Sequence, residues 1–154
     1  SKFYTMNNSI TINKLEKYCS LSERCKLDVI KKLNNLKTHI DQNKIIDHLI
    51  EKNYINEERY ALLYCKSKFN LRKWGKIKIA YQLKKKSIPE NIINSSLNAI
   101  TKESYLESIK KIIKKKSESI DEKNIYKKNI KIARYLYQKG YETDLIWKVI
   151  NDNL

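Results

Sequence analysis

"NEERYALLYCKSKFNLRKWGKIKIAYQLKKK", residues 56–86, carries ten lysines and arginines in 31 residues, yet apolar side chains run through its whole length. A single glycine interrupts it, Gly75, directly after Trp74. Asn56 followed by Glu57 and Glu58 reads as a helix start: the asparagine accepts from a first-turn amide and the acids sit where the helix dipole favours them. A helical wheel places Tyr60, Leu63, Tyr64 and Leu71 on one side and Leu62, Cys65 and Phe69 on another. The stripe left over is Arg59, Lys66, Asn70 and Lys73, at i, i+7, i+11 and i+14. Beyond Gly75 a second helix turns Ile79, Ala80 and Leu83 inward and Lys78, Tyr81 and Lys85 outward. If this unit recurs, it decides the fold.

It recurs. Leu83, Ser87, Ile88, Ile92, Ile93 and Leu97 fall at offsets 0, 4, 5, 9, 10 and 14, and Leu136, Gly140, Tyr141, Leu145, Ile146 and Ile150 fall at the same offsets. Ile40, Ile45, Ile46 and Leu49 echo the pattern with a slip of one residue. Each unit is a helix followed by a helix–turn–helix, about 50 residues long, so the 154-residue chain holds three. The expected units are 1–54 (with an N-terminal extension), 55–101 (the basic central motif) and 102–154. Such units bury their faces on one another, and the expected fold is all-α, extended rather than spherical. Two glycines and one proline are too few for the turns of a sheet fold, which points the same way.

Capping signals place the other helices. Ser20-Leu21-Ser22-Glu23 reads as a capping box opening a helix that carries Val29, Ile30 and Leu33 to about Leu36. Asp41 reads as the next N-cap, ahead of an apolar stripe at Ile45, Ile46, Leu49 and Ile50, and Pro89-Glu90 suits a first turn. Asp121 reads as the cap of a later helix that Gly140 ends.

The charge balance is 33 Lys and Arg against 17 Asp and Glu, a formal +16. This favours a polyanionic partner, nucleic acid first and an anionic membrane or acidic protein surface next. Genome composition is the competing explanation, since Lys, Asn and Ile are all abundant. The arrangement argues for binding. In the third unit Leu106, Ile109 and Ile113 face in with Lys111 and Lys115 behind them, and Tyr126, Ile130, Ala133 and Tyr137 oppose Lys127, Lys131, Arg134 and Gln138. Single-signed stripes forgo the Glu–Lys pairs that stabilise a merely solvated helix. Phosphates would replace them, releasing condensed counterions. Besides the stripe residues, the candidate contacts include Lys68, Arg72, Lys76, Lys84 and Lys86. Tyr81 and Trp74 are candidates for stacking on unpaired bases, with half-buried packing the competing role for Trp74. Phosphate contacts of this kind position a nucleic acid without reading its sequence.

No reaction is legible. Two glycines cannot make a phosphate-cradling loop, and His39 and His48 have no nucleophile in a motif beside them. Cys19, Cys25 and Cys65 form no C-x-x-C, so reduced core thiols are expected, with no metal and no cofactor. No apolar run approaches ~18 residues. The expectation is a soluble cytoplasmic binding protein that is not an enzyme, is monomeric and does not engage a membrane.

The stretch from Ile55 to Ile88 resembles the central signature of the RecX family, regulators of the RecA recombinase. The matching residues are the start Asn56-Glu57-Glu58, then Arg59-Tyr60-Ala61, the basic run Lys66 to Lys73, Gly75, Ile79 and Leu83. Upstream, "YCSLSERC" at 18–25 is similar to the first-unit motif of one branch of the family. The resemblance is strongest over residues 18–100. It implies three tandem three-helix repeats in an elongated curved array. It also implies binding along the RecA filament on single-stranded DNA, which suppresses strand exchange and ATP hydrolysis without catalysis by the binder, in DNA repair, recombination and the SOS response. The glycine usual in the turn after the second helix is Ser87 in the second unit and is missing around Lys37 to His39 in the first. Lys111, Lys115, Lys131 and Arg134 rest on the wheel alone, because the family's last repeat is loosely patterned. A helical-repeat protein that binds DNA without a recombinase partner is the alternative function.

Overall fold

The computed structural model describes residues 2–152, with side chains from residue 8 onward. Nine helices and no strand occur among the described residues. They are α1 (Lys2–Leu21), α2 (Lys26–Asn35), α3 (Gln42–Glu51), α4 (Glu57–Arg72), α5 (Lys76–Lys85), α6 (Glu90–Asn98), α7 (Lys102–Ser119), α8 (Ile125–Gln138) and α9 (Thr143–Asp152). α4, α5 and α6 pack on one another, as do α7, α8 and α9, while α2 packs on α3. The protein exposes 10500 Å², against roughly 8,200 Å² for a compact monomer of its mass. Three-helix units in an elongated array account for the excess.

Several helix starts follow the sequence. Asp41 accepts from the Asn43 amide at 2.9 Å and Asn56 from that of Arg59 at 2.9 Å. Two expected caps are corrected. Ser20 lies inside α1, where its hydroxyl donates to the Glu16 carbonyl at 2.7 Å, and α2 is instead capped by Cys25, whose amide donates to the Asp28 carboxylate at 3.1 Å. The long α1 runs into the expected box as far as Leu21, and Arg24 stacks 3.9 Å from the Tyr18 ring just beyond its end. Likewise α8 is capped by Asn124, which accepts from the Lys127 amide at 3.0 Å, rather than by Asp121.

The inward face of α8 also differs from its wheel. Ile132, Ala133 and Leu136 are buried, Ile130 is half-buried, and Tyr126 and Tyr137 are exposed. The apolar arc of α8 is wide enough for two inward registers. The realised one buries aliphatic groups and leaves two tyrosine hydroxyls in water, which avoids an unpaired buried donor. In α4, similarly, Leu63 and Leu71 face outward while Tyr60, Ala61, Cys65 and Phe69 are buried.

The units join by two unlike seams. Between the first and second, Arg59 Nε donates to Glu23 at 2.6 Å, Lys86 Nζ to Asp28 at 2.9 Å, and the Lys26 amide to Glu57 at 3.3 Å. Burial alone would raise the Asp28 pKa, but the bonds from Lys86 and the Cys25 amide outweigh it and hold the carboxyl below its ordinary range. Between the second and third units the seam is neutral. The Gly75 amide donates to the Lys139 carbonyl at 2.7 Å and the Ile77 amide to that of Gly140 at 3.0 Å. A Cβ on Gly75 would overlap the Gly140 backbone, and Gly140 itself sits at φ +97. Only glycine allows this approach. Tyr105 accepts from the Lys76 amide at 2.9 Å and donates to Glu142, while Tyr141 donates to the Lys73 carbonyl at 3.0 Å. Burial first, and the Glu142 bond second, push the Tyr105 pKa far up, so the seam keeps its proton.

Candidate nucleic-acid interface

The stripe of α4 runs into a cleft beside that neutral seam. Asn70 and Lys73 from α4 face Lys111 and Lys115 from α7 across a cavity of about 330 Å³. A second cavity of about 340 Å³ shares Lys73 and Lys115 and adds Arg72, Lys116 and Lys139. Six cations therefore border two adjoining hollows, in which Glu107 is the one lining carboxylate. Lys73, which lines both hollows, closes α4 in the left-handed region at φ 58.

Lys139 is the informative cation. Its Nζ donates to the Arg72 carbonyl at 2.7 Å, and burial, then Lys78, then Arg72 depress its pKa. At the matching position in the preceding unit, Lys86 is raised by its bond to Asp28. One repeat position thus meets a carboxylate in the first seam and a backbone carbonyl, with cations around it, beside the second. The like charges of Lys78 and Arg72 add to burial in disfavouring the charged lysine, and an anion in the cleft would offset them.

The other expected contacts divide by environment. Lys66, Lys84 and Lys85 are exposed, as are Lys127, Lys131 and Arg134 on α8. None of these six lines the cleft, although Lys66 continues the α4 stripe one turn above Asn70. Lys131 reaches Glu122 at 3.4 Å. Lys68 and Lys78 lie 5.0 Å and 4.6 Å from the Trp74 ring, and Lys76 lies 5.0 Å from that of Tyr105. Trp74 is half-buried between two lysines and packs against the core; Tyr81 is 60% exposed and keeps an open face. Arg59 and Lys86 are taken by Glu23 and Asp28 and do not belong to a free basic face. Sequence reasoning missed Lys116 and Lys139. The run Lys114-Lys115-Lys116 and the repeat position shared with Lys86 were the available signals.

The remaining titratable groups carry no comparable arrangement. Burial pushes the Cys25 and Cys65 thiols up to about 11, away from reactivity. Among the described residues no group of three or more His, Cys, Asp or Glu is placed to hold a metal, and no helix is long and apolar enough to cross a membrane.

Fold and cleft together define an all-α tandem-repeat protein built of three-helix units. Residues 56–97 match the family model for the second three-helix domain of RecX and residues 103–150 the model for the third, together more than half of the chain. The chain belongs to the RecX family. It is 30% identical over 132 residues to the regulatory protein RecX of Bacillus cereus strain AH820, covering 84% of this chain and 48% of that protein, with the same figures for Bacillus anthracis strain A0248. The chain therefore spans about half the length of the curated relatives it matches. The crystal structure of RecX from Lactobacillus salivarius superposes with a TM-score of 0.86 at 29% identity, over 94% of both chains. A second crystal structure of a regulatory protein RecX gives 0.84 at 24% identity, over 94% of this chain and 72% of that one, and speaks for the fold alone.

Proposed function

We propose that this protein regulates the RecA recombinase without catalysis of its own, by binding the RecA–DNA filament and seating phosphates in the cleft between α4, α7 and α8. The observation that carries the phosphate assignment is the pair of adjoining hollows bordered by six cations and one carboxylate, with Lys139 held on the Arg72 carbonyl where its counterpart Lys86 has Asp28. Family membership carries the recombinase. The outward cations Lys66, Lys84, Lys85, Lys127 and Lys131 extend the positive field around the cleft and steer a polyanion toward it. The filament-bound form is a monomer in the bacterial cytoplasm.

Two titrations test this. The protein, added well below the RecA concentration with DNA in excess, lowers ATP hydrolysis by the cognate RecA on single-stranded DNA. A fall only when the protein covers the DNA would replace the regulator by a plain DNA-binding repeat. The variant K73A/K115A/K139A flattens the salt dependence of single-strand binding by about 0.7 slope units per lost phosphate contact. An unchanged slope would remove the cleft from the interface.

A further inference from the structure

The third unit carries a second surface, away from the basic cleft. Tyr126, Ile130, Ala133 and Tyr137 follow at i, i+4, i+7 and i+11 along α8, a ridge of ~16 Å at 1.5 Å per residue. Its two end residues are 73% and 64% exposed, while between them Ile130 is half-buried and Ala133 is buried. Beside the ridge, Ile146 and Trp147 of α9 wall a shallow groove of about 280 Å³ that Arg134 borders. Ridges of i, i+4 spacing are what a second helix packs against. Base stacking wants aromatic faces a few ångströms apart, whereas these two tyrosines stand three turns apart. The border decides the charge of the occupant: Lys127, Lys131 and Arg134 each follow a ridge residue by one position. Among the described residues Lys131 alone of the three has a carboxylate partner, Glu122. A second copy of a chain at +16 would bring like charge to that border.

We propose that this α8 ridge docks an amphipathic helix of the recombinase itself, one whose apolar stripe is bordered by acidic residues. This rests on the recombinase reading above and divides the work: phosphates in the cleft, protein on the ridge.

The test is binding of the full chain to the cognate recombinase without DNA, in parallel with binding to single-stranded DNA alone. Both tyrosines are exposed, so Y126S/Y137S folds, as its circular dichroism checks. The expected result is a loss of affinity for the DNA-free recombinase of about tenfold or more, the scale of an aromatic anchor, with single-strand affinity unchanged. A p-benzoyl-phenylalanine in place of Tyr137 cross-links to the recombinase, and the same probe at Asn98 does not. Wild type and double variant binding the recombinase equally would overturn the ridge and leave the recombinase reading standing. A wild type that never binds the DNA-free recombinase, and does not lower its ATP hydrolysis, would bring down that reading and the ridge with it. Loss of single-strand affinity in the variant would overturn the proposal in favour of a nucleic-acid surface, and concentration-dependent dimerisation abolished by Y126S/Y137S in favour of a second copy.

Discussion

Arg59 heads the stripe that Lys66, Asn70 and Lys73 continue, yet its guanidinium is held by Glu23 and by the Asn53 carbonyl at 3.0 Å. Spacing shows where a side chain emerges from its helix and says nothing about a carboxylate arriving from 36 residues away. The cost of removing this arginine is structural. Glu23 Oε2 already lacks a partner, and Arg59→Ala leaves the whole carboxylate short of one. We expect a loss of about 1–3 kcal/mol in denaturant unfolding, the range for leaving a buried acceptor unsatisfied. The salt dependence of single-strand binding stays unchanged, whereas K73A/K115A/K139A shows the opposite pair of effects. A flattened salt slope in Arg59→Ala would return this arginine to the interface.

At the scale of elements, the turn after the second helix of each unit was the most legible feature. Its shared offsets identified α5–α6 and α8–α9 correctly, and Gly140 adopts the positive φ that a glycine there implies. Lys37 and Ser87 hold the same conformation without the glycine, at φ 49 and φ 60. The missing glycines therefore changed an energy and left the geometry intact. The left-handed region costs an L residue roughly 1–2 kcal/mol, offset by the roughly 0.4–1 kcal/mol of extra chain entropy that glycine brings to the unfolded state. Ser87→Gly is exposed and free to change, so it stabilises by ~0.5–1 kcal/mol and raises Tm by a few degrees. A lower Tm would show that the serine makes a contact the turn needs. The α8 register was not legible for a different reason. Leu136 and Tyr137 are neighbours on one wide apolar arc, and only the packing of α7 and α9 selects which of them is buried. The cleft shares that limit, because it joins Lys73 to Lys115 and Lys139 across three helices and no local pattern links them.

Across the whole molecule, the two seams titrate differently. The first is held by donors bonded to Glu23, Asp28 and Glu57, with Asp28 the titrating group; the second by glycine contact and by tyrosines that keep their protons. The Asp28 pKa is depressed in the folded protein, so its contribution is complete above the unfolded value and disappears as pH falls through the folded one. The Lys86 pKa is raised, so its share is present below the unfolded lysine value and is lost only in strong alkali. The pair therefore holds from the carboxylate range up to the lysine range, and acid is what opens it. The second seam is closed by backbone amides donating to carbonyls and by the Tyr141 hydroxyl on the Lys73 carbonyl, groups that acid does not change. Trp74 and Trp147 lie in the second and third units, which makes fluorescence blind to the first, while circular dichroism sees every helix. Below about pH 4 circular dichroism should fall in a first step while tryptophan fluorescence holds, the two transitions separating as the first unit detaches and unfolds ahead of the others. Replacing Asp28 by Asn should weaken the first unit at pH 7 and bring the early step closer to neutrality. If both signals instead fall together in acid, the three units unfold as one cooperative body, and the ion pairs between the first two only orient them.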